Sequence, residues 1–118
     1  RHRELDTVAR ESATILSLLV HAGRNADPKK AFLCGAQMLS LAADAPRPPG
    51  ELGFAVVEQA LYELKVLAPL KKPQLIKACL ATVMADGQIT VLEGELMRAI
   101  CAAIDSPLPP LIESGAAS

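Results

Sequence analysis

The scarcity of aromatic residues is the feature of this sequence that most restricts its fold. Hydrophobic residues make up 51% of the 118 residues, but aromatic residues make up only 3%. The core must therefore be built from Leu, Ile, Val, Ala and Met. Ala, Leu and Met enter helices at little cost, whereas strands are enriched in β-branched and aromatic residues. The composition predicts an all-α protein, and the length fits a single domain.

Apolar residues recur at helical spacing in five segments of the chain. We expect helices over residues 4–22, 28–43, 51–66, 73–85 and 91–104. Gly23 is typical of the end of the first helix, and the pair Asp27-Pro28 is typical of the start of the second. The prolines of segment 44–50 exclude a regular element there. The sequence thus predicts a five-helix bundle built of packed helix pairs, with a short turn at its C-terminal end.

We expect one helical domain over residues 1–113 and a disordered tail over 114–118. The cysteines Cys34, Cys79 and Cys101 lie in apolar stretches and form no C-x-x-C pair, which predicts buried, reduced thiols.

The apolar side of each predicted helix gives the expected core. The residues predicted to face the core are Leu5, Val8, Ile15, Leu16 and Leu19 in the first helix; Phe32, Ala36 and Leu39 in the second; Phe54, Val57, Leu61 and Leu64 in the third; Ile76, Cys79, Leu80, Val83 and Met84 in the fourth; and Leu92, Leu96, Ile100 and Ile104 in the fifth.

The charge of the chain argues against nucleic acid as a partner. Twelve Lys and Arg residues are balanced by 13 Asp and Glu residues, so no broad positive field attracts phosphates. Lys71, Lys72 and Lys77 form a basic edge, which is interpreted as a solvated face or as a contact for lipid headgroups or an acidic partner. No apolar run is long enough to span a bilayer, and the start does not resemble a signal peptide. The sequence predicts a soluble piece of a larger protein.

Motifs for catalysis are missing from the sequence. His2 and His21 do not form an H-E-x-x-H pair, and there is no glycine-rich phosphate loop or G-x-S-x-G turn. His21 is expected to interact with the carbonyl end of its own helix. We therefore predict no catalytic residue and no cofactor in this chain.

The segment from Asp86 to Glu93 resembles the second half of an EF-hand loop. Asp86, Gly87 and Glu93 would take loop positions 5, 6 and 12, but Thr82 and Met84 would then stand where positions 1 and 3 need oxygen ligands. Asp86 and Glu93 are the candidate metal ligands if any ion binds.

We favour a structural role for this segment. Asp86 and Gly87 form a turn, and Thr90 and Glu93 form a capping box at the start of the fifth helix. No bound ion is needed for that arrangement.

This helix–Asp-Gly–helix unit resembles the TerB-like domains, which are all-helical modules named for tellurite-resistance proteins. About the last 50 residues also resemble the C-terminal region of bacterial HtpX-like membrane zinc metallopeptidases. The matching segments are LKVLAPLKK (64–72), ADG (85–87), EGELMRAI (93–100) and SPLPP (106–110).

The resemblance implies the C-terminal domain of such a protease, on the cytoplasmic side of the inner membrane. The zinc-binding H-E-x-x-H helix and the membrane spans would lie in the parent chain, and the partner would be another protein or the rest of that chain.

Three hypotheses for function follow from the sequence. The first is a non-catalytic accessory, regulatory or interaction domain of a membrane-bound zinc metallopeptidase. The alternative is a free-standing TerB-like stress-response or metal-binding module, suggested by Asp86 and Glu93. The third is a structural domain that dimerises through the apolar residues Leu108, Leu111 and Ile112.

Overall fold

A computed structural model of the chain describes residues 3–23 and 25–113, and these residues form a bundle of helices. The α-helices are α1 (Ala9–Ala22), α2 (Pro28–Met38), α3 (Phe54–Lys65), α4 (Lys72–Val83), α5 (Val91–Ala103) and the short α6 (Pro110–Glu113). Short 3₁₀ helices cover Leu5–Val8 and Pro49–Glu51. The predicted all-α class is confirmed. The predicted tail, 114–118, lies outside the described residues.

Polar side chains define the starts of two helices. Asp27 precedes α2, and its Oδ1 accepts a hydrogen bond from the backbone N–H of Lys30 at 3.1 Å. Thr90 precedes α5 and forms a capping box with Glu93. Both starts agree with the sequence prediction, because these side chains satisfy N–H groups that have no partner within the helix.

The ends of α2 and α5 share one backbone arrangement. Ser40 has a φ of 55° and Asp105 a φ of 56°, both in the left-handed region. The next residue in each case donates a hydrogen bond five residues back, from Leu41 to Ala36 and from Ser106 to Cys101. This is the Schellman motif, which usually has glycine at the left-handed position. The prediction that the second helix extends to residue 43 was therefore wrong, because Ser40 ends it early.

Helix α1 lies at the centre of the bundle and packs against α2, α3, α4 and α5. Its core side chains include Ile15, Leu16 and Leu19, which are fully buried as predicted. Helices α2 and α4 pack closely at Gly35, where a Cβ atom would lie 2.6 Å from the backbone oxygen of Ala78. Glycine is required at that position because any side chain would overlap α4.

Two residues predicted to be buried are exposed. Phe54 is 81% exposed and Leu92 is 54% exposed. Each lies at the start of its helix, and the buried side of α5 is formed instead by residues such as Met97, Ile100 and Cys101. Leu92 is five residues before Met97, about 140° around the helix from it, so it faces away from the core.

The segment before the first 3₁₀ helix is attached to the connection between α3 and α4. The backbone N–H of Arg3 donates to the oxygen of Val66 at 2.7 Å, and the N–H of Ala68 donates to the oxygen of Arg3 at 2.9 Å. The Arg3 side chain forms an ion pair with Glu63 on α3. Leu67, between the two bonded residues, is fully buried.

Candidate interaction surface

The Asp-Gly turn between α4 and α5 is closed by its own side chains. Oδ1 of Asp86 accepts a hydrogen bond from the N–H of Gln88 at 3.0 Å. Gly87 has a φ of 83°, which favours glycine, and Ile89 is buried against the core. The turn predicted from the sequence is present.

Glu93 is a buried carboxylate that completes this turn. It is 2% exposed, and its Oε1 accepts a hydrogen bond from the N–H of Thr90 at 2.8 Å. In return, Oγ1 of Thr90 accepts from the N–H of Glu93 at 3.1 Å. Its Oε2 lies so close to the end of α1 that a Cβ on Gly23 would overlap it. Glu93 therefore lies between the start of α5 and the end of α1.

Both candidate metal ligands form hydrogen bonds within the turn between α4 and α5. One oxygen of Asp86 and one of Glu93 bind backbone N–H groups within the turn. Across residues 3–23 and 25–113, no three His, Cys, Asp or Glu side chains are grouped as metal ligands. These contacts favour the structural interpretation of the turn.

Arg47 attaches the proline-rich connection between α2 and α3 to α1. Its N–H donates to Oγ of Ser17 at 2.8 Å, and its Nη1 donates to Oγ1 of Thr14 at 2.6 Å. Its backbone oxygen lies 2.7 Å from Nε2 of His21. The interaction of His21 with the carbonyl end of its own helix stays a prediction: His21 lies in the last turn of α1, and its ring also contacts the connection that folds back over α1.

A shallow groove of about 330 Å³ lies beside Arg47, between α1 and α3. Both arginine and glutamate side chains reach it, from Arg10, Arg47 and Glu11, and Val56 and Gln59 form the opposite wall. Opposite charges at one groove do not select an anionic or a cationic ligand. We assign it no ligand.

Cys79 and Cys101 are unsuited to nucleophilic chemistry. Burial, together with the nearby Cys101, raises the pKa of the Cys79 thiol to about 12. Burial also raises the pKa of Cys101 above its ordinary value. Both thiols are therefore protonated at neutral pH, and thiolate is the reactive form. Cys34 is partly exposed and, like the other two, is not in a disulfide.

Helix α3 presents two aromatic side chains to solvent. The chain has three aromatic residues, of which Phe32 is buried, whereas Phe54 and Tyr62 are 81% and 68% exposed. Eight residues separate the two along α3, which corresponds to about 12 Å along the helix axis and about 80° around it. Glu58 lies between them and is also exposed. We call Phe54, Glu58 and Tyr62 the aromatic face of α3.

The proposed dimer contact is not available as predicted. Ile112 is fully buried, and its backbone oxygen accepts a hydrogen bond from Nη2 of Arg98 on α5. Leu108 is partly buried against the core, and the Leu111 side chain lies outside the described part of the chain. The proline-rich end thus folds onto α5, which explains why Ile112 is not exposed.

Among the described residues, none of the helices combines the length and the apolar character that crossing a bilayer requires.

Comparison with known proteins assigns no family to this chain. No family model, curated protein or solved structure matches the chain.

Proposed function

We propose that this chain is a non-catalytic interaction domain that binds a protein partner through the aromatic face of α3. The observation that carries this proposal is the exposure of Phe54 and Tyr62 in a chain with only three aromatic residues. An aromatic side chain covers roughly 150–250 Å² when it is buried, and it dominates the energetics of many interfaces. Tyrosine is also enriched among the residues that contribute most to binding.

The surroundings of these two side chains support a protein partner. Glu58 separates them, and Gln59 and Glu63, which are hydrogen-bonded to each other, lie on the adjacent side of α3. Aromatic side chains are enriched at protein–protein interfaces, and polar side chains form the rims of those interfaces. The partner, or the rest of a longer parent chain, would cover Phe54 and Tyr62.

We further propose that the bundle is TerB-like and that its parent is an HtpX-like membrane zinc metallopeptidase. The resemblance of residues 64–111 supports this parent, and the capped Asp-Gly turn between α4 and α5 supports the TerB-like assignment. The domain would then act on the cytoplasmic side of the inner membrane by regulating proteolysis, recruiting substrates or mediating assembly. Zinc would bind to the parent's H-E-x-x-H helix.

The gene that encodes this chain tests the parent assignment directly. We expect an upstream H-E-x-x-H motif and hydrophobic spans in the same reading frame. A reading frame with neither would contradict the metallopeptidase parent, but it would leave the proposed interaction through α3 untouched.

Site-specific crosslinking tests the partner surface. Phe54→benzoylphenylalanine and Tyr62→benzoylphenylalanine in the intact protein should each yield one discrete crosslinked species on irradiation, because the partner covers both positions. Val91→benzoylphenylalanine is the matched control, since Val91 is 60% exposed on α5, outside the aromatic face. Crosslinks of equal yield at residue 91, or none at 54 and 62, would refute the proposal.

The alternative of a metal-binding stress-response module has a separate test. Even weak calcium modules bind the ion at about 1 mM, and binding to the folded state raises the melting temperature. Because Asp86 and Glu93 already bind backbone N–H groups, we expect no such rise. A rise that Asp86→Asn abolishes would favour the metal-binding alternative.

A further inference from the structure

Positive charge is segregated in one part of the chain. Four of the six lysines, Lys65, Lys71, Lys72 and Lys77, lie within 13 residues, and the segment 64–85 contains no Asp or Glu. The whole chain nevertheless has a net charge of −1. This uneven distribution creates a local positive field that the overall charge conceals.

The connection between α3 and α4 brings three of these lysines together with exposed apolar side chains. Leu70 is 83% exposed and Val66 is 38% exposed. Lys65 precedes Val66, and Lys71 and Lys72 follow Leu70 directly. We call Lys65, Val66, Leu70, Lys71 and Lys72 the basic tip.

The backbone of the basic tip is held in place. The fully buried Leu67 anchors it to the core, and the N–H of Lys71 donates to the oxygen of Ala68 at 2.8 Å. Arg3 forms hydrogen bonds on both sides of Leu67. The exposure of Leu70 is therefore a fixed property of the turn, since the backbone around it is fastened at three points.

Lys71 and Lys72 of the basic tip do not stabilise the helix that they begin. Lys71 is the N-cap residue of α4 and Lys72 its first residue, and the first turn has no acidic residue. Cations are unfavourable there, because the amino-terminal end of a helix is itself positive. Among the described residues, Lys71 and Lys72 have no carboxylate within 4 Å, and Lys65 lies 3.8 Å from the exposed Asp105. The ammonium groups of Lys71 and Lys72 are therefore available to an external anion.

We propose that the basic tip docks on an anionic phospholipid bilayer. Leu70 and Val66 would enter the boundary between headgroups and acyl chains, and the lysine ammonium groups would contact lipid phosphates. Long lysine side chains suit this arrangement, because their stems accompany apolar groups while their charges stay at the interface. The tip uses lysine and no arginine, whereas nucleic-acid recognition favours the planar, bidentate guanidinium.

This membrane contact goes beyond the proposed protein partner and is independent of it. The aromatic face uses Phe54 and Tyr62, whereas the basic tip begins at the last residue of α3 and continues into the connection that follows. Lipid binding can therefore fail while the crosslinks at residues 54 and 62 persist, and the reverse also holds.

Vesicle sedimentation tests the membrane contact. We expect the chain to bind phosphatidylcholine vesicles that contain about 30% phosphatidylglycerol, but not phosphatidylcholine alone, because each lysine gains from the negative surface. Salt at about 0.5 M should release it, since the screening length becomes a few ångströms. The double variant Lys71→Glu/Lys72→Glu should weaken binding by at least about tenfold. Leu70→Ser should weaken it several-fold at unchanged charge.

Matched variants separate this effect from a change in net charge. Lys29→Glu/Lys30→Glu makes the same charge change in the first turn of α2, where both lysines are exposed. That control, and Val91→Ser for the apolar change, should bind vesicles like the parent. Equal losses in the lysine controls, no binding to anionic vesicles, or tighter binding to RNA than to vesicles would each overturn the proposal. If Leu70→Ser bound anionic vesicles as tightly as the parent does, the proposed entry of Leu70 into the bilayer would be wrong.

Discussion

Two serines on α1 show that the effect of a buried hydroxyl on stability depends on whether it has a hydrogen-bond partner. Oγ of Ser12 is buried and has no hydrogen-bond partner among the described residues. Oγ of Ser17 donates to the oxygen of Ala13 at 2.7 Å and accepts from the N–H of Arg47 at 2.8 Å. Burying a polar group costs free energy unless a hydrogen bond compensates. Ser12 therefore destabilises the bundle, whereas Ser17 holds the proline-rich connection on α1.

Alanine substitutions of the two serines should have opposite effects. We expect Ser12→Ala to raise the free energy of unfolding by about 0.5–1.5 kcal/mol, because it removes an unpaired hydroxyl and improves helix propensity. Ser17→Ala should lower it by about 1–2 kcal/mol, because the partly buried N–H of Arg47 loses its acceptor. Urea denaturation of both variants measures these changes. Equal destabilisation by both would contradict the argument.

At the scale of the helices, the sequence predicted the two capped starts, of α2 and α5, but missed the end of α2. Asp27 and Thr90 mark starts, because their side chains cap N–H groups in a pattern that the local sequence contains. The end of α2 was missed because Ser40 adopts a left-handed conformation usually reserved for glycine. That conformation depends on where Leu41 must go, and this is set by tertiary packing.

The prediction of which helix residues are buried was limited in a similar way. Phe54 fits the helical spacing of the third apolar stripe, but at the first residue of α3 it extends beyond the core. Ala60 is buried in that helix instead. Periodicity indicates which side of a helix is apolar, but not how far the neighbouring helices extend along it.

The contact between α2 and α4 depends on one glycine, so Gly35→Ala should be strongly unfavourable. A Cβ there would overlap Oγ1 of Thr82 and would lie 2.6 Å from the oxygen of Ala78, which belongs to the backbone. Overpacking of this kind should lower the free energy of unfolding by about 1–3 kcal/mol, despite the better helix propensity of alanine.

Gly50→Ala provides the control for this helix contact, because no heavy atom beyond its own chain neighbours lies within 4 Å of the position that its Cβ would take. We expect thermal denaturation to show a melting temperature close to that of the parent for Gly50→Ala, and a clear decrease for Gly35→Ala. A neutral Gly35→Ala would mean that the two helices separate without cost.

At the scale of the whole molecule, the protonation of the Cys79 and Cys101 thiols depends on whether the core is folded. The pKa of Cys79 is about 12 in the folded chain, against an ordinary value of 9.0. The folded state therefore retains a proton that the unfolded state releases above pH 9. The contribution of the Cys79 thiol to the free energy of unfolding is complete below pH 9 and is lost as the pH rises from 9 to 12.

We expect the free energy of unfolding to fall between about pH 9 and 11, by up to about 1.4 kcal/mol per pH unit from this thiol. The fall should be shallower in Cys79→Ala and unchanged in Cys34→Ser. A thiol reagent at neutral pH should label Cys34 quickly, and Cys79 and Cys101 only after unfolding. Parallel pH profiles for Cys79→Ala and the parent would contradict this linkage.

The candidate sites were predictable from the sequence to different degrees. The turn and cap formed by Asp86, Gly87, Thr90 and Glu93 followed from local spacing, because each contact lies within a few residues. The role of Arg47 did not, since its partners lie about 30 residues away on α1. The proximity of Leu70 to three lysines was visible in the sequence, but its exposure depended on the burial of Leu67.

The attachment of Arg3 to the connection between α3 and α4 has a mechanical consequence. A pulling force applied to the chain at Arg3 would be borne first by its hydrogen bonds to Val66 and Ala68 and by its ion pair with Glu63. Part of the load would therefore pass to the connection that carries Leu70, and part to Thr7, whose backbone oxygen accepts a hydrogen bond from Nη2 of Arg3. Displacement of that connection at a surface would be transmitted to Arg3 through the same contacts. Movement of Leu70 and movement of Arg3 would therefore be coupled.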